Sequence, residues 1–486
     1  MDRNLAVILT LVLYQVVMLA IGFWAIRRTR DTEDFFLGGR KLGPVVAAIS
    51  ASASSSSAWT LLGVSGAAYL WGLSAVWLFP ATLMGFLINW GLVAPRLERL
   101  ARESGVLTLS ELVAGNPLDP GFKRNIRLCS LIILFSFLFY VAAQFQAAGD
   151  AFSNTFGWSA RISLLVGAGI ILTYTLLGGF WAVSVTDTLQ GLMMAGSAAL
   201  IPVVAVIAVG GPVQVWHGLQ ELGPPIASLS GSYGWFLGLF FVLGTLGIGM
   251  GYPGQPHVVN RFMAMRSAKE IPQARAIAIG WALLVYSGML VLGWSGRVLF
   301  GDLDAHEQIF FEVANQLLPP VLAGVMIAAV LSAIMSTADS QLLVASSSVA
   351  YDWQLAKRGR RSSILYARLV VILLAILSVM LAIFAPEAIF SRVLFAFHAL
   401  GSSFGPILLI RIFKGQVASN AVYQSLLAGV GLTILLNWLP DTPGDFAERL
   451  LPFGVAFALA WRGLPVERRP SGALASMTFP KDRDYD

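Results

Sequence analysis

Long apolar runs separated by short polar stretches occupy most of the chain, which has 486 residues. A helix that crosses a lipid bilayer needs about 20 mostly apolar residues, and thirteen runs have roughly that length. The pattern therefore predicts an all-α, polytopic membrane protein embedded in the lipid bilayer. The predicted spans cover residues 5–26, 43–70, 72–95, 126–154, 159–180, 185–209, 233–256, 273–300, 319–350, 364–384, 388–412, 418–438 and 448–462.

The composition indicates the same class of protein. Apolar residues make up 57% of the chain and charged residues only 12%, whereas a soluble domain has about 25% charged residues. So few charges cannot cover the surface of a soluble chain of this length, which excludes soluble globular and disordered proteins. The single cysteine, Cys129, excludes an internal disulfide and a multi-cysteine metal site.

Basic residues separate the predicted loops into two groups. Lys and Arg accumulate in the cytoplasmic loops of membrane proteins. An outside N-terminus places all but five of the 32 Lys and Arg residues on the cytoplasmic side, including those of a tail over residues 463–486. The net charge of +6 is therefore explained by topology, and no nucleic-acid partner is predicted. The lack of a targeting segment favours a cell inner membrane. The five exceptions are Arg3, Arg161, Arg297, Arg392 and Arg449.

Two predicted spans contain sequences that oppose a regular helix. Residues Ser50–Trp59 in the second span include six serines, whose hydroxyls need partners inside the hydrocarbon. Residues Gly244–Pro256 in the seventh span combine spaced glycines with Pro253 and Pro256, which destabilise a helix. Irregular backbone is tolerated at membrane depth where it lines a cavity, so both segments are candidate binding regions. Small residues that only allow close helix packing are the alternative.

The two breaks lie five predicted spans apart, each in the first helix of a group of five. Breaks at matching positions of two halves indicate an inverted-repeat secondary transporter with its site near the membrane midplane. The sequence predicts a first repeat over residues 43–209, and an outer loop with a second repeat over residues 210–412. An extra N-terminal helix and inner loop precede the repeats at residues 1–42, and two further helices follow at residues 413–462.

Asp339 lies well inside a predicted span, where charged side chains are costly and usually functional. Ser336, Thr337 and Ser340 surround it, and a group of oxygen ligands suits a hard cation such as Na⁺. Positions 333, 336, 337 and 340 share one face of a helix, so Ala333 adds a backbone carbonyl to this group. Hydroxyls that bond back to their own helix are the alternative interpretation.

Longer motifs add a family resemblance. They are FFLGGR-x-LGP at 35–44, the serine-rich segment that ends at Trp59, GGF-x-AVS-x-TDT-x-Q at 178–190, GY-x-GQPH-x-x-x-RFMA at 251–264 and MST-x-x-x-QLL at 335–343. Their order and spacing resemble the sodium:solute symporter family, and within it the sodium/proline symporter branch, along nearly the whole chain. The resemblance implies a leucine-transporter-type fold of five-plus-five inverted repeats and Na⁺-coupled entry of a small solute. It implies no organic cofactor and no enzymatic activity.

The resemblance also implies ion sites. The main sodium site of the family has two carbonyls in the first broken helix, and one carbonyl and two hydroxyls in the ninth span. Some members have a second sodium site next to the first. The matching residues of the main site are Ala53, Ser56, Ala333, Ser336 and Thr337, and those of the second are Asp187, Ser336, Asp339 and Ser340.

A substrate pocket is implied in the same way, and two of its positions depart from the branch. The branch has an aspartate where this chain has Ser55 and a tryptophan where it has Ile248. A carboxylate at that place could pair with a substrate amine, so a monocarboxylate is the alternative to proline or a related amino acid. Ile248 removes an aromatic wall and widens the pocket. The matching pocket residues are Ser55, Ser57, Trp59, Tyr140, Ile248, Tyr252 and Pro256.

Two further hypotheses stay open. Proton coupling is suggested by the missing carboxylate at Ser55 and by the presence of Asp339 and His398. A transporter-like sensor is less favoured, because such proteins normally carry a signalling domain after the last span and the tail here is short. The sequence does not indicate an oligomeric state.

Overall fold

The computed structural model describes residues 3–26, 37–176, 180–352, 360–385 and 387–464. Within these ranges the regular structure is helical, apart from an isolated β-bridge between Leu42 and Met265. The α-helices are α1 (Arg3–Ile26), α2 (Pro44–Ala58), α3 (Val64–Trp71), α4 (Leu78–Leu87), α5 (Ala94–Ser104), α6 (Leu109–Ala114), α7 (Phe122–Phe156), α8 (Ala160–Thr175), α9 (Phe180–Val209), α10 (Pro212–Glu221), α11 (Pro224–Ala227), α12 (Trp235–Gly247), α13 (Pro256–Met263), α14 (Ile271–Phe300), α15 (Ile309–Leu317), α16 (Pro320–Ser347), α17 (Arg360–Phe384), α18 (Ile389–Lys414), α19 (Ser419–Asn437) and α20 (Phe446–Arg462).

Ten helical stretches of the described chain are long and apolar enough to cross a membrane. One of them, Pro44–Ser104, has 61 residues, which corresponds to about 90 Å of helix and exceeds one bilayer crossing about threefold. Gly72, with a φ of 62°, supplies the break at which this stretch divides. The all-α, polytopic class is confirmed, whereas the count of thirteen spans stays a prediction.

Several helices lie wholly or partly where loops are predicted, among them α5, α10 and α15. Helix α5 continues the third span as far as Ser104, α10 forms between α9 and α12, and α15 forms between α14 and α16. These helices are short or carry charges, so an apolar-run criterion overlooks them. The predicted tail over 463–486 lies almost wholly outside the described residues, as do the first residues of two of the motifs.

Both predicted breaks are present. In α2, Ser57 has a φ of 43° and a ψ of −173°, a left-handed value that is unusual for a residue with a side chain. A π-helical turn, Trp59–Gly63, then leads into α3. In the second break a 3₁₀ turn, Ile248–Gly254, follows α12, and Gln255 is extended before α13 starts at Pro256.

The second break packs directly against the backbone of α18. A Cβ atom added at Gly254 would lie 2.7 Å from the Cα of Gly401, and one added at Gly401 would lie 2.5 Å from the Cα of Gly251. Only glycines allow this approach, so the glycine pattern that opposes a helix also brings two backbones together.

Helix α2 lies at the centre of the molecule, where it contacts α7, α9, α13, α14 and α16. Its serine-rich segment is buried throughout. A buried hydroxyl needs a partner. Ser50, Ser54, Ser56 and Ser57 have theirs on these five helices, whereas Ser55 bonds the Ser52 carbonyl in α2 and the Ser52 hydroxyl has no partner among the described residues. The serine run therefore brings polar groups of several helices to one place, as expected of a site at membrane depth.

Candidate ion and solute site

Helices α2 and α16 meet through side-chain hydroxyls. Ser336 Oγ donates to the Ala53 carbonyl at 3.3 Å and is also 3.1 Å from the carbonyl of Ala333 in its own helix. Thr337 Oγ1 donates across to the Ser54 carbonyl at 3.1 Å. Ser336 thus bonds both to its own helix and to α2, and the ion site itself stays a prediction. The arrangement gathers several oxygen atoms between two helices.

Like Thr337, whose hydroxyl bonds Ser54, Ser56 is joined to the other members of the predicted main sodium site by no described side-chain hydrogen bond. Its carbonyl accepts from the backbone N–H of Trp59, and its hydroxyl lies 3.5 Å from the hydroxyl of Tyr286. The strained backbone at Ser57 follows directly. Ser56 thus lies between the oxygen group on α16 and the aromatic residues beyond the break.

The guanidinium of Arg261 lies among the residues of the predicted second sodium site. Arg261 Nη2 lies 2.8 Å from Asp187 Oδ2 and 2.6 Å from Ser340 Oγ. Ser50 and Ser54 also donate to Asp187 Oδ2, at 2.8 and 3.0 Å. The structure therefore brings Asp187 and Ser340 together as predicted, with a guanidinium between them.

Asp339 is not part of that ion pair. Its Oδ1 atom accepts a hydrogen bond from Thr175 in α8, and its Oδ2 atom is buried without a hydrogen-bond partner among the described residues. Asp339 and Asp187 therefore bond to different helices. The four residues of the predicted second site form two separate hydrogen-bonded groups here.

Aromatic residues from both breaks surround the predicted substrate pocket. The ring centroid of Trp59 lies 6.3 Å from that of Tyr286, and Tyr252 is 5.6 Å from Phe86 and 5.2 Å from Phe397. Tyr140 is buried and hydrogen-bonds Ser57. Ile248 is also buried, and Pro256 begins α13 at the far end of the second break.

A small cavity of about 10 Å³, enough for roughly one water molecule, adjoins this aromatic group. Ser55 lines it, although its hydroxyl donates to the Ser52 carbonyl at 2.9 Å, and Asn89 Nδ2 donates to the Tyr252 carbonyl at 3.2 Å. Aromatic rings and neutral polar groups line the cavity, and a small organic molecule would enter only where these side chains move apart. The lining residues are Ala51, Ser55, Phe86, Asn89, Trp90, Tyr252 and Val258.

Two buried N–H donors at the first break have no hydrogen-bond partner among the described residues. They are Trp59 Nε1 and Gln144 Nε2. Gln144 is fixed by its other amide atom, since Oε1 accepts from the backbone N–H of Ala58 at 3.1 Å. Buried donors normally have a partner, so these two are candidates for hydrogen bonds to an anionic ligand group.

Glu307, a loop residue, holds the start of α18 next to the aromatic group. Glu307, in the short turn before α15, accepts hydrogen bonds from the backbone N–H groups of Ile389 and Phe390 at 2.9 and 2.7 Å. The ring of Phe390 lies 5.6 Å from Trp59 and 5.2 Å from Trp71. The carboxylate thus caps α18 and holds an aromatic residue over the first break.

Sequence reasoning did not identify several residues of this site. Tyr286 and Gln144 lie within apolar spans, and no motif distinguishes them from other buried polar residues. Arg261 belongs to a quoted motif, but its charge was assigned to a cytoplasmic loop. Its buried position follows from α13, which returns the chain to α2 after the second break.

The chain as a whole is similar to known proteins. The model of the sodium:solute symporter family matches residues 35–429. The high-affinity proline transporter of Bacillus subtilis is 34% identical over 456 residues, which cover 90% of this chain and 92% of that protein. The sodium/proline symporter of Escherichia coli is 34% identical over 451 residues, which cover 89% and 88%.

Solved structures support the fold. A Na⁺-coupled sialic acid symporter in a substrate-bound outward-open state is similar with a TM-score of 0.77 at 18% identity, over 95% of this chain and 97% of that one. A nucleobase-cation-symport-1 family transporter in a closed conformation has a TM-score of 0.56 at 11% identity, over 92% and 100%. The expected leucine-transporter-type fold is confirmed.

Proposed function

The chain belongs to the sodium:solute symporter family, and on that premise we propose that it is a Na⁺-coupled symporter that imports proline or a closely related amino acid. The observation that carries the proposal is the meeting of Ser336 and Thr337 with the carbonyls of Ala53 and Ser54. Similarity to proline transporters over nearly the full length supports the substrate class.

Sodium would bind between α2 and α16. The carbonyls of Ala53, Ser56 and Ala333 and the hydroxyls of Ser336 and Thr337 supply oxygen ligands, which hard cations prefer. Bound Na⁺ would replace the present hydrogen bonds and tie the first break to α16, which would favour an outward-open state with an ordered pocket. A second sodium at Asp187, Ser336, Asp339 and Ser340 would first have to displace Arg261.

The solute would bind beside the two breaks. Its carboxylate would accept from Trp59 Nε1 and Gln144 Nε2, the two unpartnered donors. Its amine would donate to carbonyls freed by the break at Ser57 or to the hydroxyls of Ser57 and Tyr140, and Tyr252 would close over its ring. Ser55 cannot supply a counter-charge for the amine, so neutral acceptors have to take that role. Ile248 and Pro256 would form the remaining wall.

The driving force follows from the charge on the ion. Moving one positive charge inward is favourable by about 2.3 kcal/mol per 100 mV of membrane potential. Because ion and solute bind to connected segments, each should raise the affinity for the other by the same factor. The distribution of basic residues supports an outside N-terminus and a cytoplasmic C-terminus.

Uptake of radiolabelled proline into proteoliposomes tests this function. An inward Na⁺ gradient should cause accumulation of proline, and an equal K⁺ gradient should not. Accumulation without Na⁺ that collapses with the pH gradient would establish proton coupling instead.

A monocarboxylate is the second candidate substrate. The two unpartnered N–H donors can bind a carboxylate, whereas Ser55 gives no negative charge that would pair with an amine. If lactate, and not proline, is accumulated with Na⁺, the amino-acid assignment is wrong and the symporter assignment stands. Solute binding with no movement of any tested solute would point to a sensor.

A further inference from the structure

Tyr286 lies in α14, between the two interrupted helices. Its hydroxyl is 3.3 Å from Thr60 Oγ1 and 3.5 Å from Ser56 Oγ, both at the first break. It is also 3.2 Å from the hydroxyl of Tyr252, at the second break. One phenol on a regular helix therefore connects the irregular segments of both repeats.

The side chain is buried, at 1% exposure, and its ring contacts the rings of Trp59 and Phe86. Trp59 belongs to the proposed solute pocket, and Ser56 supplies a carbonyl to the proposed sodium site. Tyr286 thus touches a residue of each. None of the five side chains around it carries a charge, so hydroxyl hydrogen bonds are the polar interactions in this junction.

These hydrogen bonds use the full capacity of the phenol. A tyrosine hydroxyl has one donor and two acceptor positions. Thr60 donates to it, and the donors toward Ser56 and Tyr252 are interchangeable. All three distances are longer than the usual 2.7–2.8 Å for hydroxyl pairs. Such long bonds exchange partners at low cost. A shift of Ser56 therefore decides whether the Tyr286 hydroxyl donates to the Tyr252 hydroxyl or accepts from it.

We propose that Tyr286 is a positioning residue that couples sodium to solute, a role that rests on the proposed function. Sodium bound to the Ser56 carbonyl fixes the first break, and with it the Ser56 hydroxyl. Tyr286 then directs its own proton toward Tyr252, which orients the second break for the solute. A tyrosine that only fills the core would be replaced equally well by phenylalanine, so the hydroxyl itself is the group under test.

The first experiment measures radiolabelled proline binding to purified protein, with 100 mM NaCl or 100 mM choline chloride, for the wild type and Tyr286→Phe. Loss of one buried hydroxyl interaction of about 1.4 kcal/mol corresponds to tenfold. The variant is therefore expected to bind proline about tenfold more weakly in Na⁺ and to lose most of the Na⁺-induced gain in affinity. Tyr69→Phe is the matched control, because Tyr69 is equally buried but bonds the loop at Leu303.

An unchanged Na⁺-induced gain in Tyr286→Phe would overturn the proposal, even if proline binds more weakly. A wild type that binds proline equally with and without Na⁺ would instead contradict the proposed function. The two failures are therefore distinguishable within one set of measurements.

A second experiment needs no solute. Ile248→Cys, in a Cys129→Ser background, reports the second break through its rate of maleimide labelling. Sodium alone should change that rate about fivefold or more when Tyr286 is present, and less than twofold with Tyr286→Phe. If sodium changes the labelling rate equally in both backgrounds, the phenol does not carry the effect of sodium binding to the second break. That result would overturn the proposal whatever the solute is.

Discussion

Arg261 and Asp187 form an ion pair in which Nη2 lies 2.8 Å from Oδ2, with side-chain exposures of 1% and 0%. Serine hydroxyls from α2 and α16 complete the group through Ser50, Ser54 and Ser340. The pair thus connects four helices, α2, α9, α13 and α16, at one point. It holds α13, which follows the second break, against α2, which contains the first.

Removing one charge of this pair is expected to destabilise the protein strongly. A buried charge that loses its partner costs about 3–5 kcal/mol, so Arg261→Met should lower the unfolding temperature in detergent markedly. The double variant Arg261→Met/Asp187→Leu should recover part of the loss, since no unpaired charge remains. The pair Arg266–Glu270, with side-chain exposures of 60% and 20%, is the control, because neutralising an ion pair near the surface should change stability by about 1 kcal/mol or less. A single variant as stable as the wild type would contradict the structural role.

Sodium affinity should depend on the hydroxyls of α16. Ser336→Ala and Thr337→Ala each remove one oxygen ligand, and a loss of about 1.4 kcal/mol raises the half-activating Na⁺ concentration about tenfold. Initial rates of proline uptake against Na⁺ concentration give this value. Ser346→Ala and Ser347→Ala are matched controls, because these hydroxyls bond to carbonyls of their own helix at 2.7 and 2.8 Å. Unchanged Na⁺ dependence in both test variants would refute the main site.

The contact between Gly254 and Gly401 should tolerate no methyl group. Gly254→Ala places a Cβ 2.7 Å from the Cα of Gly401, and overpacking of this kind costs about 1–3 kcal/mol. Uptake should fall severely, with a lowered unfolding temperature. Gly431→Ala in α19 is the control, since nothing lies within 4 Å of its added Cβ. Wild-type uptake by Gly254→Ala would mean that the two backbones lie further apart than described.

The stability of the protein should carry a pH dependence from Glu307, a loop residue. Burial raises the pKa of Glu307 above its usual value, although the N–H groups of Phe390 and Ile389 oppose the shift. The folded protein therefore binds this proton more tightly than the unfolded chain. Its stabilising contribution is present at low pH and is lost as the pH rises through the raised pKa.

Glu307→Gln removes that proton-binding group. The unfolding temperature of the wild type should therefore fall more steeply with rising pH, from about pH 4 upward, than that of the variant. One proton changes the slope of the free energy of unfolding against pH by at most about 1.4 kcal/mol per pH unit. Glu312→Gln, in the neighbouring helix α15, should keep the wild-type slope. Equal slopes for Glu307→Gln and the wild type would contradict the prediction.

The sequence predicted the architecture because the bilayer imposes it. Apolar run lengths identify the long helices, and serines or glycines with prolines mark the two segments where a helix cannot continue. Helix-forming loops such as α10 and α15 were missed, since neither their length nor their polarity distinguishes them from irregular connections. The count of spans also depends on short helices that length alone does not decide.

The site was predictable only where a motif fixed it. Ala53, Ala333 and Ser336 come together as the resemblance implies, and Thr337 reaches the carbonyl next to Ala53. Tyr286 and Gln144 could not be found, because one buried tyrosine or glutamine in an apolar span resembles any other without the neighbours that surround it. Arg261 shows the same limit, since a basic residue near a predicted span end gives no sign of an acidic partner 74 positions earlier.

The hydrogen bond from the backbone N–H of Phe390 to Glu307 has a pharmacological consequence. It connects the loop before α15 to the aromatic residues around the first break, through two hydrogen bonds and the ring contacts of Phe390 with Trp59 and Trp71. An antibody fragment that binds the turn around Glu307 would slow the movement of Phe390 away from Trp59 without entering the solute path. Such a binder would favour the conformation in which Phe390 contacts Trp59, so it would also shift the apparent affinity for any solute that has to pass Phe390.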